Sequence, residues 1–416
     1  MVESHDSWCQ CMLLAADKST CEPRAPAWRR EYTGASGDIF FRLQDWAWGN
    51  TMMALRDALA VAIILNRRPK VIIGQGQSPL NGANLSSAFE LFGVDVVPES
   101  AESRLRLATP AGAKSINSVD DLSAVLRRPL SPHQSIYSRC LFSFTAGSHK
   151  ELRALAREHE GRHAWAMLFT APVPDCWVAA FLRPAARVRG AVLRLLQGTR
   201  AAVHLRLCNL VSWTDTCAPV ESPHAAARSV LGCAADTSAA ASFFVASDSA
   251  LAIESLKRDA RAGNLSLPHV PRSTRIQVTS LEGLGLTAHL SRMAPQHEID
   301  PQATLDRAVF DWAAFAYSRH VVALPSSFPA SAVCMFAPAQ VNLVVLRLPT
   351  DNGEVACNDP LSSSAGRSAS AKQKHPCNDL ARVNAKVLRP SKAPLAGRRG
   401  LLMRPAKAAE ARKSDL

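Results

Sequence analysis

The residues best suited to chemistry in this sequence are His204 and Arg206, near the end of the apolar stretch Ala202-Val203-His204-Leu205-Arg206-Leu207. Such a stretch predicts a buried strand, and in open α/β sheets ligands bind at the carboxyl ends of the strands. The Arg guanidinium is always charged, and its geometry matches that of a phosphate group. The stretch therefore predicts an anion site, phosphate above all, with a plain surface pair of His and Arg as the alternative.

Three more polar corners stand between a predicted strand and a predicted helix: Trp48-Gly49-Asn50, Ser247-Asp248-Ser249 and Pro325-Ser326-Ser327-Phe328. A helix N-terminus presents free backbone N–H groups and the positive end of the helix dipole, and both favour anions. Simple helix capping is the alternative for Asn50, Ser249 and Ser327. Beside an Arg, such corners predict a phosphate site.

The first half of the chain shows a strand, a loop, a helix and a second strand in succession. The predicted strand Asp38–Leu43 leads through a loop over 44–50 into the helix Thr51–Asn66, which contains no Gly or Pro, and then into the strand Val71–Ile73. Fainter patterns predict helices over 84–92, 119–127, 150–160 and 178–196, and strands over 94–97 and 135–144. Pro184 predicts a kink or break in the last of these helices.

The second half of the chain alternates regularly between the two kinds of element. Strands are predicted over 201–207, 242–247, 275–279, 321–324 and 341–346, and helices over 224–231, 250–261, 304–317 and 329–336. This alternation predicts an α/β fold with parallel sheets covered on both faces. We expect an unassigned N-terminal segment over 1–35, two Rossmann-like domains over 36–195 and 196–350, and a tail over 351–416.

The charge of the chain is concentrated at its C-terminal end. The 416 residues carry a formal net charge of +13, and residues 351–416 hold 13 Lys and Arg against 6 Asp and Glu. The basic residues of this low-complexity tail stand among Ala, Ser and Pro with no aromatic side chains that could stack on bases, so no specific nucleic acid partner is expected. The tail is predicted to be disordered.

The cysteines and the N-terminus bear on the compartment. Eleven cysteines without a paired C-x-x-C pattern do not predict a zinc ribbon, but their number allows disulfides in an oxidising compartment. Cys208 and Cys217 could form a bridge or remain buried thiols. The first residues lack the basic region and the length of a signal peptide, and no apolar run is long enough to predict a transmembrane segment.

Taken together, the motifs resemble the GDP-fucose-binding motifs of the fucosyltransferase superfamily, and the protein O-fucosyltransferases above all. The segments that carry this resemblance are Trp48-Gly49-Asn50, Phe181-Leu182-Arg183-Pro184, Ala202–Arg206, Trp213-x-x-x-Cys217, Phe244–Ser249 and Ser326-Ser327-Phe328. They span roughly residues 38 to 347 in the order that the superfamily shows. The resemblance implies a GT-B-like fold of two facing Rossmann-like domains, with GDP-fucose bound in the C-terminal domain.

The same resemblance implies an inverting glycosyltransferase that works without a metal or other cofactor in the ER or Golgi lumen. Its partners would be a nucleotide sugar and a protein or glycan acceptor. Arg206 and Asn50 would be the catalytic residues. GDP-fucose would be bound by Gly49, Asn50, His204, Arg206, Asp248, Ser326, Ser327 and Phe328.

The resemblance also implies a role for individual side chains. Arg206 would stabilise the charge that develops on the β-phosphate, with Ser326 and Ser327 as further donors. Asp248 would accept the N1–H and N2–H groups of guanine, because a carboxylate suits two parallel donors. His204 would lie against the nucleotide, and Asn50 would face the sugar and phosphate across the cleft. No general base can be assigned.

Two departures from the superfamily pattern leave an alternative open. Ser212 stands where relatives carry an acidic residue, and Trp48 stands where they carry a small or flexible one. The alternative is therefore a protein that binds GDP, a nucleotide sugar or a partner without transfer. Trp46 and Trp48 could stack on a sugar ring or belong to the core.

Overall fold

The computed structural model describes a large part of the chain. The described residues are 8, 11–15, 17–43, 48–73, 84–98, 114–138, 146–170, 176–199, 201–207, 222–267, 270–271, 273–281, 300–336, 341–346, 354–355, 357 and 362–363. Within them the helices and strands form two parallel sheets with helices packed on them. This arrangement confirms the predicted α/β class.

The first sheet is built from residues in the first third of the chain. Its helices, strands and flanking elements are α1 (Ala27–Glu31), β1 (Asp38–Leu43), α2 (Trp48–Ile64), β2 (Arg68–Ile73), α3 (Leu85–Ala88), β3 (Phe89–Leu91), β4 (Asp95–Pro98), β5 (Lys114–Ile116), α4 (Val119–Arg127), β6 (Ile136–Ser138), α5 (Ala146–His159), α6 (Met167–Thr170), β7 (Leu182–Pro184) and α7 (Ala186–Leu195). Five strands pair in parallel in the order β4-β2-β1-β6-β5. The strands β3 and β7 form a separate antiparallel pair.

The second sheet holds the predicted anion site. Its elements are β8 (Ala201–Leu205), α8 (Pro223–Ser238), β9 (Ser242–Ser247), α9 (Ala250–Arg261), β10 (Gln277–Thr279), α10 (Pro301–Tyr317), β11 (His320–Ala323), α11 (Ser327–Phe336), β12 (Asn342–Val345) and β13 (Ser362–Ser363). The order is β10-β9-β8-β11-β12-β13, and every pairing is parallel except that of β13 with β12. The strand order reverses between β8 and β11, which is the point where open α/β sheets bind ligands.

The two faces of the second sheet belong to different cores. The residues Ala202, Phe244, Ala246, Val321, Leu343 and Val345 share one apolar cluster with α2, α10, α11 and the first sheet. The alternate residues of the same strands pack with α8 and α9 in a second cluster. Because side chains alternate between the faces of a strand, β8 is buried on both sides. One apolar cluster therefore joins the two halves of the chain.

Several segments differ from the elements predicted by the sequence. The helix predicted over 84–92 ends at Ala88 as α3, and Phe89–Leu91 form strand β3 instead. Helix α2 begins at Trp48, so Trp48-Gly49-Asn50 is the first turn of a helix and not the end of a loop. The predicted helix over 178–196 is broken at Pro184, as expected, but before the break Cys176–Ala180 form a 3-10 helix and Leu182–Pro184 form strand β7. This strand is fixed by its partner β3, where Glu90 accepts from the buried Arg183 at 2.7 Å.

The ends of the chain contribute more to the fold than predicted. In the N-terminal segment, Trp8 and Trp28 are buried in the first core. Within the tail predicted over 351–416, the structure describes residues 354–355, 357 and 362–363. There Val355 is buried in the second core, Cys357 is disulfide-bonded to Cys233, and β13 pairs with β12. Residues 364–416 lie outside the described part.

Among the helices of the described residues, none is both long enough and apolar enough to cross a membrane.

Candidate active site

The polar corners of the second half meet at one edge of the second sheet. Strand β8 lies between β9 and β11, and His204 is level with Ala246 on one side and Ala323 on the other. All three strands are parallel, so the residues that follow them lie at the same edge. The segments 206–207, 248–249 and 324–328 are therefore neighbours at the carboxyl ends of these strands.

His204 is held rigidly within this edge. Its side chain is only 8% exposed, and its backbone carbonyl accepts a hydrogen bond from Leu324 N at 3.1 Å. The imidazole ring stacks on Phe328, with 5.7 Å between centroids and 26° between planes. Phe315 meets the same ring edge-on at 5.7 Å. The result is an aromatic wall of His204 and Phe328 beside the end of β8.

Arg206 is the cation of the site. Its side chain is half-buried, and no described residue accepts a hydrogen bond from its guanidinium. Burial lowers the pKa of Arg206, and the negative charge of Asp248 opposes that shift. Arg nevertheless stays protonated in proteins. A positive charge is thus kept in a partly desolvated place, which is the electrostatic requirement for binding an anion.

The corner after β9 is tied to the backbone around Arg206. Ser247 Oγ donates to Leu205 O at 3.0 Å, and Leu207 N donates to Asp248 Oδ1 at 2.8 Å. Ser249 Oγ accepts from Ala252 N at 3.3 Å and so caps helix α9. The capping alternative therefore holds for Ser249, whereas Asp248 is bonded to the end of β8.

The corner after β11 starts a helix at the same edge. Ser326 Oγ accepts from Phe328 N at 3.2 Å, so Ser326 is the capping residue and Ser327 is the first residue of α11. A hydroxyl that accepts one hydrogen bond keeps its own proton to donate. The start of α11 therefore offers hydroxyl donors as well as the positive end of the helix dipole.

Gly49 brings the first half of the chain to this place. A Cβ atom on Gly49 would lie 2.4 Å from Ser327 C and 2.5 Å from Phe328 N. Only a glycine allows the start of α2 to approach the start of α11 so closely. Gly49, which is expected among the residues that bind GDP-fucose, thus has its Cα against the backbone of α11. Two helix N-termini converge beside the end of β8.

Asn50 follows in the first turn of α2 and is not its cap. Its Oδ1 atom is buried and has no hydrogen-bond partner among the described residues. A buried amide oxygen without a partner costs free energy, so such groups commonly mark a ligand or water site. Asn50 directly follows Gly49, whose Cα lies against the start of α11.

Trp48 belongs to the core. Its side chain is 3% exposed, and its ring stacks on Phe89 at 6.0 Å and meets Trp312 edge-on at 6.3 Å. Met52 and Met53 are buried in the same cluster. Of the other sequence hypotheses, those on Trp46, Cys208, Ser212, Trp213 and Cys217 lie outside the described residues.

Comparison with known proteins gives similarity to solved structures only. No protein-family model matches the chain, and a search of curated proteins finds no match. The NodZ alpha-1,6-fucosyltransferase soaked with GDP-fucose, an enzyme known from Bradyrhizobium, is 13% identical, with a TM-score of 0.41 over 77% of this chain and 98% of that one. FUT1 of Arabidopsis thaliana, in complex with GDP, is 10% identical, with a TM-score of 0.43 over 86% of this chain and 81% of that one.

A third similar structure is POFUT1 in complex with GDP, which is 12% identical, with a TM-score of 0.39 over 73% of this chain and 95% of that one. All three TM-scores are below 0.5. The description of the fold given above therefore rests on the strand order and the packing of this chain.

Two residues of the site were not found from the sequence. Phe315 lies on α10, far along the chain from His204, and its spacing from Trp312 predicts only a buried helix face. Ser247 lies within a motif that the sequence shows, but the sequence assigns it no role.

No three His, Cys, Asp or Glu side chains in the described part of the chain are grouped so that they could hold a metal ion.

Proposed function

We propose that this chain is a glycosyltransferase that transfers fucose from GDP-fucose to a hydroxyl group of a protein or glycan acceptor. The observation that carries this proposal is the position of Arg206. Its half-buried guanidinium lies where the strand order reverses, and no described residue accepts a hydrogen bond from it. The negative charge of Asp248 offsets only part of the cost of burying this cation, so a ligand anion beside it would lower that cost further. The resemblance of the surrounding motifs to GDP-fucose-binding motifs supports a diphosphate as that anion.

The proposed chemistry follows from where charge develops. When the bond between fucose C1 and the β-phosphate oxygen breaks, negative charge accumulates on the β-phosphate. Arg206, the hydroxyls of Ser326 and Ser327, and the N-terminus of α11 are donors that can stabilise this charge. The acceptor oxygen bonds to C1 from the opposite face, which inverts the configuration, and its proton passes to solvent or to a group not assigned here.

The first half of the chain would complete the site. The buried Asn50 Oδ1 has no partner among the described residues, and the neighbouring Gly49 packs against the start of α11. We assign Asn50 to the sugar and phosphate of the donor. The wall of His204 and Phe328 is assigned to the nucleotide, since aromatic faces stack on bases. Transfer is proposed to need no metal ion, so activity should persist in EDTA.

The proposed compartment is the ER or Golgi lumen. Cys11 is bonded to Cys21, and Cys233 is bonded to Cys357. Structural disulfides persist in oxidising compartments and are rare in the cytosol. These bonds support the proposal, and retention of the protein in the secretory pathway of its own cells is the measurement that checks it.

The experiment is a nucleotide panel with the full chain. Thermal shift and calorimetry with GDP, GDP-fucose, UDP and ADP should show stabilisation by the two guanine nucleotides only. GDP-fucose with a panel of glycan and protein acceptors should release GDP. Arg206→Ala should weaken GDP binding by about 100-fold, the size expected for lost charge-assisted hydrogen bonds. Arg261→Ala, on the exposed end of α9, is the matched control and should bind GDP normally.

The outcomes separate the alternatives. Absence of GDP binding would overturn the proposal. Binding of GDP-fucose without release of GDP, whatever the acceptor, would instead favour a protein that binds the nucleotide sugar without transfer.

A further inference from the structure

The backbone that carries Arg206 lies beyond the hydrogen-bonded ladder of the sheet. The last paired residues are Leu205 of β8 and Ser247 of β9. Arg206 and Leu207 follow without a strand partner. A side chain that must meet a phosphate oxygen within hydrogen-bond distance needs a fixed backbone, because a misplacement of about 1 Å can cost about 100-fold in rate. Something other than the ladder must therefore hold this backbone.

Two consecutive residues at the end of β9 hold it on both sides. Before Arg206, Leu205 O accepts from Ser247 Oγ at 3.0 Å and from Asp248 N at 3.3 Å. After Arg206, Leu207 N donates to Asp248 Oδ1 at 2.8 Å. The peptide groups that flank Arg206 are thus both bonded to Ser247 and Asp248.

The hydrogen bond of Ser247 is buried, and that of the Asp248 carboxylate is partly buried. Leu205 and Leu207 are fully buried, and Ser247 is 4% exposed. Removal of the Asp248 side chain would leave the buried Leu207 N without this acceptor, which costs free energy. Removal of the Ser247 hydroxyl would leave Leu205 O with Asp248 N alone as its donor. Asp248 also places a negative charge near Arg206, which offsets part of the cost of burying the guanidinium.

We propose that Ser247 and Asp248 form a clamp that positions Arg206, and that Asp248 acts on the donor through Arg206 and not by contact with guanine. The inference rests on the proposed function, since it assigns Arg206 to the diphosphate. It differs from the role that the motif resemblance implies, in which the carboxylate accepts the N1–H and N2–H of the base. In the structure that carboxylate has a backbone N–H as its partner.

The test compares an isosteric and a truncating variant of Asp248. Asp248→Asn keeps an oxygen that accepts from Leu207 N but replaces the other oxygen by an NH₂ group, which repels the donors of guanine. Asp248→Ala removes the acceptor altogether. Ser247→Ala removes the donor to Leu205 O and serves as a second probe of the clamp if Asp248→Ala does not fold. Thr279→Val is the matched control, because Thr279 Oγ1 donates to Phe243 O at 3.1 Å in the same sheet but outside the site.

The readouts are chosen so that a merely structural role would not produce them. The Kd values of GDP and of IDP, which lacks the 2-amino group, are measured for each full-length variant by calorimetry. Each variant is also combined with Arg206→Ala, and the free energy of unfolding is measured in urea. The double-variant cycle isolates the part of the effect that passes through Arg206.

The clamp predicts a specific pattern. Asp248→Asn should bind GDP within about threefold of the wild type, with the same preference for GDP over IDP, whereas Asp248→Ala and Ser247→Ala should lose about tenfold or more. In the Arg206→Ala background, Asp248→Ala should add little. Thr279→Val should bind GDP as the wild type does.

Two results would overturn the clamp. One is an Asp248→Asn variant as weak as Asp248→Ala with its preference for GDP over IDP lost, since that result marks a contact to the base. The other is additivity of Asp248→Ala and Arg206→Ala. If the wild type fails to bind GDP at all, the proposed function fails instead, so the two failures are distinguishable.

Discussion

Gly49 lies against the start of α11, and replacing this glycine gives a direct test of how the two halves of the site are arranged. In Gly49→Ala the added Cβ would lie 2.4 Å from Ser327 C, while ordinary contacts begin at 3.4 Å. Helix α11 and helix α2 would have to separate by about 1 Å at their N-termini. The atoms that obstruct the Cβ are backbone atoms, so no side-chain rotation can relieve the clash.

The expected magnitude combines two opposing effects. Overpacking costs about 1–3 kcal/mol, and the higher helix propensity of Ala returns up to about 1 kcal/mol, so the net loss of stability lies between about 0 and 3 kcal/mol. A displacement of about 1 Å between Asn50 and the start of α11 should lower the rate of transfer by about 100-fold. Stability is read from urea unfolding, and function from GDP binding and GDP release.

Gly190→Ala is the matched control. Gly190 also lies inside a helix, but a Cβ there would meet only the flexible end of Arg194 at 3.5 Å. This substitution should leave GDP binding unchanged and should stabilise the protein by up to about 1 kcal/mol. If Gly49→Ala behaves as Gly190→Ala does, the close approach of the two helix N-termini is refuted.

Two further predictions concern buried rings. Burial lowers the pKa of His320 from 6.5 to about 4, and His320 Nδ1 lies 2.8 Å from the Asn342 amide nitrogen, while Nε2 lies 2.9 Å from Thr237 Oγ1. Between these pH values the unfolded chain binds the proton more tightly, so the free energy of unfolding should fall as the pH falls from about 6.5 towards about 4, by at most about 3 kcal/mol. Urea unfolding across this pH range should show a weaker pH dependence in His320→Gln, and equal slopes would contradict the assignment. Trp48→Phe should cost about 1–2 kcal/mol of stability but leave the KM for any acceptor unchanged, because the ring lies in the core; a raised acceptor KM at unchanged stability would place Trp48 in the cleft.

Much of the fold could be predicted because its signals are local. The helix predicted over 119–127 and the helix predicted over 250–261 have those bounds in the structure. Ser118 and Asp121 form a capping box that starts the first of these helices, and Ser249 caps the second. Such caps depend on residues three positions apart, which a sequence shows directly.

The elements that were mispredicted depend on distant partners. The sequence predicts a helix in place of strand β7 because nothing near Arg183 indicates that Glu90, 93 positions away, will pair with it. The sequence also predicts too late a start for α2, because Gly49 and Asn50 are typical of loops. Their helical conformation is compatible with the contact of Gly49 with α11, which only the tertiary structure provides.

The candidate site likewise combines residues that the sequence indicates with contacts that only the tertiary structure shows. The corners at His204, Arg206, Asp248 and Ser326 could be found from the sequence, because polar residues at strand ends stand out against apolar strands. The bond of Leu207 to Asp248 could not, since a carboxylate after a strand predicts a cap, a ligand contact or a tertiary bond equally well.

The central claim is that Arg206 holds the diphosphate of a guanine nucleotide, and a calorimetric titration of GDP into the full chain tests it most directly. The account predicts saturable binding of one GDP per chain in the wild type and in Arg261→Ala, and a loss of about 100-fold in Arg206→Ala. Binding of GDP that is equally tight in wild type and Arg206→Ala, or no binding in the wild type, would contradict it.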